Sequence, residues 1–266
     1  MTNDIRKPSD KVLGIMPVIG LGTWEIAGSE CISSVISALE LGYRHIDTAQ
    51  IYGNEKEVGK GIHRSGIRRE DIFLTTKIAT TNLTRNRIMH SALESLDRLG
   101  TEYVDLLLIH WPTESMILEE CLHAMFELKD KGFVKHVGVS NFDPELFMRS
   151  IELGPVLTNQ VKFTPYHEEF GNLKVAITQG RIITAYSPLA RGGIAKDHLL
   201  MDIGAKYGKT ASQIALRWLI QLRNVTVIPK AVSEQHQREN IEIFDFELTG
   251  EDMERIRELS KKPVWR

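Results

Sequence analysis

Eight short apolar runs rich in β-branched residues recur along the chain, each separated from the next by a longer stretch of helical period. They fall at 18–21, 43–46, 72–77, 104–109, 134–138, 157–161, 182–186 and 225–228. When strands and helices alternate without interruption, both can be buried only if successive strands lie parallel with the helices packed outside, so the pattern implies an α/β fold. Eight βα units within 266 residues match a closed (β/α)8 TIM barrel, whereas an open doubly wound sheet of this length has fewer strands. No Pro-, Gly- or Ser-rich linker breaks the alternation, so a single domain over 1–266 is expected. The first run follows a hairpin at 11–16, and the sixth is short and carries Asn159 and Gln160.

The intervening stretches have their own boundaries. Ile32, Val35, Ile36 and Leu39 follow the i, i+3, i+4, i+7 rule of a helix with one apolar face. Asn54 with Glu57 resembles a capping box, and Thr210 with Gln213 forms one. Asp143-Pro144 reads as an N-cap with proline in the first turn, and Gly154 closes that helix. A helix over 115–131 carries a broad apolar stripe that includes Cys121 and Met125. Short helices at 197–207 and 249–259 exceed one helix per strand.

The formal net charge of −2 offers neither a basic face for nucleic acid nor an acidic tail. No stretch has signal-peptide character or the apolar length of a membrane span. Cys31 and Cys121 lie far apart in helical patterns and read as free thiols, which fits a reducing, cytoplasmic location. The expected partner is a small molecule, and the expected state a monomer.

In a barrel the loops after the strands open on one face, so functional groups gather there. The strand ends deliver Gly22-Thr23-Trp24, Asp47 with Tyr52, Lys77, His110-Trp111, Ser140-Asn141, Gln160, Tyr186-Ser187 and Lys230. Taken singly, Asp47 could cap a turn, Lys77 could be a surface lysine and His110 a hydrogen-bonded core histidine. Their convergence on one face favours a site. An ordinary tyrosine ionises near ~10, and a neighbouring ammonium favours its phenolate. A buried lysine keeps its charge only beside a carboxylate. In this reading Asp47 holds Lys77 charged, Lys77 acidifies Tyr52, and His110 aims a substrate carbonyl at the phenol, which suits carbonyl reduction.

These residues stand within GLGTW (20–24), GYRHIDTAQIYGNE (42–55), TTK (75–77), VDLLLIHWP (104–112), GVSNF (138–142), NQ (159–160), AYSPL (185–189) and IPK (228–230). From about Gly20 to Asn240 the sequence resembles the aldo-keto reductases, NAD(P)(H)-dependent oxidoreductases built on a (β/α)8 barrel. The resemblance implies that Asp47, Tyr52, Lys77 and His110 form a catalytic tetrad with Tyr52 as general acid in reduction. It also implies that Ser140, Asn141 and Gln160 bind the nicotinamide carboxamide, that Tyr186 stacks on its ring, and that Gly22, Thr23, Trp24 and Asp47 border it. Ser187 and Leu189 would contact the pyrophosphate; Lys230, Val232, Ser233, His236, Glu239 and Asn240 would hold the adenosine end. Trp24, Tyr52, His110 and Trp111 would wall the substrate pocket, and no metal is implied.

Two departures stand out. The arginine that usually follows the IPK lysine by six positions is His236 here, with Arg238 two residues on, so NADPH is expected and NADH remains open. The glutamate and histidine usual after NQV are Lys162 and Thr164. The connection after Pro112 is short, as in the bacterial members that reduce diketogluconate and methylglyoxal, so small polar aldehydes, ketones and dicarbonyls are the expected substrates. A nicotinamide-binding regulatory subunit is the rival reading, and a phosphate-using barrel isomerase leaves Trp24, Tyr186 and the tetrad without a role. GAKYGKT (204–210) lacks the spacing of a phosphate-binding loop, GLGTWE (20–25) lacks the third glycine of a Rossmann fingerprint, and His167-Glu168-Glu169 reads as a solvated loop.

Overall fold

The alternation is realised as a barrel in the computed structural model, which describes residues 7–261. A hairpin comes first, β1 (Lys11–Val12) paired antiparallel with β2 (Met16–Pro17). The barrel strands follow: β3 (Leu21–Gly22), β4 (His45–Asp47), β5 (Phe73–Ile78), β6 (Val104–Ile109), β7 (Val134–Ser140), β8 (Val156–Lys162), β9 (Ile182–Tyr186) and β10 (Val225–Ile228). All eight are parallel and neighbour one another in chain order. Closure comes from backbone bonds across the seam: Gly20 N donates to Val227 O at 2.8 Å, Val227 N to Val18 O at 3.0 Å, and Gly22 N to Pro229 O at 3.1 Å.

Among the described residues ten helices surround the barrel: α1 (Gly28–Glu40), α2 (Glu55–Arg64), α3 (Arg85–Leu99), α4 (Leu118–Asp130), α5 (Pro144–Glu152), α6 (Phe170–Gln179), α7 (His198–Tyr207), α8 (Ala211–Gln221), α9 (Glu234–Ile241) and α10 (Gly250–Arg257). The supernumerary pair are α7 and α10, where the periodicity places them. Strands such as β6 are buried on both faces, because helices cover the outside and side chains fill the inside. Met16 is buried, and its sulfur accepts from Thr184 Oγ1, so the hairpin covers the barrel end opposite the strand C-termini.

Local expectations meet mixed outcomes. Thr210 and Gln213 form the reciprocal capping box, Asp143 caps α5, and both cysteines are free and buried. Asn54 makes no cap bond: its side chain accepts from Thr48 Oγ1 at 2.7 Å and donates to the carbonyls of Thr23 and Ile26, each at 2.8 Å. Spending that amide on three loop segments outweighs capping one helix. Gly154 is not a left-handed C-cap either, since α5 stops at Leu153 in a right-handed conformation. Glycine is required at 154 by packing, because a Cβ there would lie 2.4 Å from the Phe126 ring. The sixth barrel strand, short in sequence, runs for seven residues, with Asn159 bonding Phe142 O and Asn172.

Candidate active site

Asp47 and Lys77 end or nearly end adjacent strands, and both are fully buried. The lysine ammonium has three protons and three acceptors: Asp47 Oδ1, Thr48 O at 2.8 Å and Tyr52 Oη at 3.2 Å. The second carboxylate oxygen of Asp47 accepts from Gln160 Nε2 at 2.7 Å. Burial alone would discharge Lys77, but Asp47 and Tyr52 more than offset it and hold the ammonium above its ordinary pKa.

Tyr52 lies on a single 3-10 turn over Gln50–Tyr52, followed by left-handed Gly53. Gln50 stakes this turn to the next unit, accepting from Ala79 N at 2.8 Å and donating to Ser91 O at 3.0 Å. Asn54 ties its other end to the β3 loop. With Lys77 donating to the phenol oxygen, the Tyr52 proton is free to point into the cavity. The expectation that Lys77 makes this phenol more acidic than usual is corrected. Burial raises its pKa, Lys77 pulls it down, and Asp47 pushes it back up, so the balance lies above the ordinary value. The ammonium's pull is outweighed by burial together with the carboxylate that keeps it charged.

His110 packs edge-on to Tyr52 with ring centroids 5.7 Å apart. Burial, then the Lys77 charge, lowers its pKa to about 3, so its ring is neutral, and Nδ1 has no hydrogen-bond partner among the described residues. One layer deeper on β4, His45 is likewise lowered to about 3 by burial and Lys77. Its Nε2 meets Thr75 Oγ1 at 3.1 Å, and its ring fills the space beside Gly20, where a Cβ would fall 2.6 Å from Nδ1.

The opposite wall is polar. Asn141, at φ 62, donates to His110 O at 2.9 Å and Ser140 Oγ at 3.0 Å, and accepts from the Tyr186 hydroxyl at 2.9 Å. Gly22 must be glycine, since a Cβ would lie 2.8 Å from Ile228 O, and Thr23 Oγ1 donates to Asp47 O at 2.9 Å. These groups, with Trp24, Trp111, Ser187 and Lys230, line a cavity of about 300 Å³ at the C-terminal mouth of the barrel. A second cavity of about 700 Å³ shares Trp24, Ser187, Arg191 and Lys230 with the first and extends past Leu189 to His236, Glu239 and Asn240. The two make one bent trough. Left-handed, non-glycine backbone gathers along it at Glu25, Asn141, Ser187, Ala190 and Arg191. Such conformations persist where the surroundings over-determine them.

Not every expected residue reaches the trough. Val232 and Ser233 line neither cavity; Val232 O accepts from Ser34 Oγ at 3.3 Å, and Ser233 caps α9 through His236 N. Arg238 pairs with Glu234 at 2.7 Å and also lines neither cavity, so it does not stand in for the arginine replaced by His236. Thr164 organises a turn, its hydroxyl accepting from Tyr166 N and His167 N at 3.0 Å each. Sequence reasoning missed Gln50, Asn54, Ile51 and Arg191. Gln50 was visible only as a polar residue within the quoted motif, Asn54 only as a helix-cap candidate, and Arg191 only as a cation just after AYSPL.

The Aldo/keto reductase family profile matches residues 18–261. Methylglyoxal reductase DkgB of Escherichia coli O157:H7 is 39% identical over 246 residues, covering 91% of this chain and 92% of that protein. A 9,11-endoperoxide prostaglandin H2 reductase of Trypanosoma cruzi is 39% identical over 254 residues, covering 92% and 88%. Among solved structures, a candidate 2,5-diketo-D-gluconic acid reductase B superposes with a TM-score of 0.92 at 42% identity, over 96% of this chain and 92% of that one.

Proposed function

The chain belongs to the aldo/keto reductase family and is an oxidoreductase, and on that premise we propose that it reduces small aldehydes, ketones and dicarbonyls at the expense of NADPH. The observation that carries this reading is the buried Lys77, hydrogen-bonded at once to Asp47, Thr48 O and Tyr52 at the mouth of the barrel.

The trough fits a nicotinamide dinucleotide in shape and in donor chemistry. Its narrow end offers the amides and hydroxyls of Ser140, Asn141, Gln160 and Tyr186 to a carboxamide and a flat ring. Its wide end offers Lys230 and the N-terminus of α8 to phosphate groups, with His236 and Asn240 beside them. When bound, that cofactor supplies hydride to the carbonyl carbon. Tyr52 gives its proton to the carbonyl oxygen, and the phenolate left behind is stabilised by the Lys77 ammonium that Asp47 keeps charged. His110, neutral, is able to donate a hydrogen bond that orients the same oxygen without competing for the proton. Lys230 supports NADPH over NADH, though an imidazole at 236 cannot supply the forked bonds of a guanidinium, so the preference is expected to be modest.

The test is loss of the near-ultraviolet absorbance of NADPH with methylglyoxal, in the wild type and in Tyr52→Phe. The variant is expected to bind NADPH as the wild type does and to lose roughly 100-fold or more in kcat. Near-normal turnover by the variant would remove Tyr52 from the role of acid. Tight NADPH binding with no turnover of any carbonyl by the wild type would favour a regulatory subunit.

A further inference from the structure

The rim between the two cavities carries two cations, Arg191 and Lys230, and they differ in their partners. Lys230 lies 3.4 Å from Glu25, an exposed pair at the edge of the wide cavity, where phosphate groups are expected. Arg191 has no carboxylate within ion-pair distance among the described residues; its guanidinium rests over the Trp24 ring, 4.7 Å from the centroid. The backbone that presents it is unusual. Ala190 at φ 48, Arg191 at φ 54 and Gly192 at φ 88 are three successive left-handed residues, in a loop whose only well-buried apolar anchor is Ile194. A side chain other than glycine is disfavoured in that conformation, yet an arginine stands there, stacked on the tryptophan that also walls the carbonyl cavity. Stacking leaves the edge N–H groups of a guanidinium free for a planar anion.

We propose that Arg191 determines substrate choice, its guanidinium taking the carboxylate of a keto acid whose carbonyl lies between Tyr52 and His110. The inference rests on the reductase reading above and narrows it from small carbonyls to anionic ones. Phosphate groups of a dinucleotide already have Lys230 and the start of α8 in the wide cavity. The narrow cavity has no other unbalanced cation on its rim, and its remaining rim residues, Trp24, Ile51 and Trp111, are apolar or aromatic. An anionic substrate therefore meets one unpaired cation on this rim, the Arg191 guanidinium over Trp24.

The experiment compares Arg191→Gln, Arg191→Lys and wild type with two substrates, methylglyoxal (neutral) and 2,5-diketo-D-gluconate (anionic), and measures KM for each and for NADPH. In Arg191→Gln the KM for the keto acid is expected to rise at least about tenfold more than that for methylglyoxal. The KM for NADPH should change far less, and Arg191→Lys should recover part of the loss. A rise in the NADPH KM that drags both substrates equally would assign the guanidinium to the cofactor and overturn the proposal. Equal, small effects on both substrates would overturn it too, as would a wild type that reduces methylglyoxal but ignores the keto acid, an outcome that leaves the reductase reading standing. A wild type that reduces neither would end both.

Discussion

At the scale of single residues, the site is defined by groups whose protons are fixed by burial. His45 and His110 are both held neutral, with pKa lowered from 6.5 to about 3 by desolvation and then by Lys77. In the unfolded chain the same imidazoles take up protons below about pH 6.5. A folded pKa lower than the unfolded one gives stability that is fully present above the imidazole range and is lost as pH falls toward 3. Each histidine should cost up to about 1.4 kcal/mol per pH unit across that window. Urea unfolding between about pH 7 and pH 5 should show the fall, and His45→Gln should make it shallower by about one proton; an unchanged slope would mean that His45 is charged in the fold. The residue types at this site were legible because each strand end projects one polar group into a shared mouth. Their balance was not: the notion that Lys77 acidifies Tyr52 counted one charge, and the fold adds desolvation and the opposing Asp47. Gln50 and Asn54 were illegible for a related reason, since their bonds join loops that sequence leaves far apart.

At the scale of elements, α2 is set by what its glycines lack. A Cβ on Gly59 would fall 2.2 Å from Leu99 O at the end of α3, and one on Gly61 would fall 2.7 Å from Val35 of α1. Helix α2 thus sits close to both neighbours, and its first residue, Glu55, is anchored by Arg98 of α3 at 2.7 Å and by Thr76 on β5. That helix begins three residues beyond Tyr52, so its seating fixes the turn that bears the phenol. Gly59→Ala is expected to lower stability by about 2 kcal/mol or more, because backbone has to move. Gly250→Ala, in open space at the start of α10, should be neutral or stabilise by up to ~1 kcal/mol. Equal urea midpoints for the two variants would refute the close-packing account. Periodicity located these helices to within a few residues, as with α4, expected over 115–131 and found at Leu118–Asp130. It could not say that Gly154 is a packing necessity and not a stop signal, because the Phe126 ring it lies against is remote in sequence.

For the molecule as a whole, the alternation of runs fixed the number of strands and hence the closed ring, while pocket dimensions depend on loops that obey no period. Two relatives of equal identity, one named for methylglyoxal and one for a prostaglandin endoperoxide, show that overall likeness does not choose the substrate. Volume decides more: a cavity of about 300 Å³ is at the small end of ligand pockets. Catalytic efficiency with methylglyoxal should therefore exceed that with a steroid-sized ketone by roughly tenfold or more, and the reverse order would contradict the cavity. The seam has a further consequence, for synthesis. Val18 and Gly20, leading into β3, bond to Val227 of β10, so the start of the barrel waits for its last strand. On the ribosome, the growing sheet carries two raw margins until that late segment emerges, and during this interval the nascent chain is open to pairing with its neighbours.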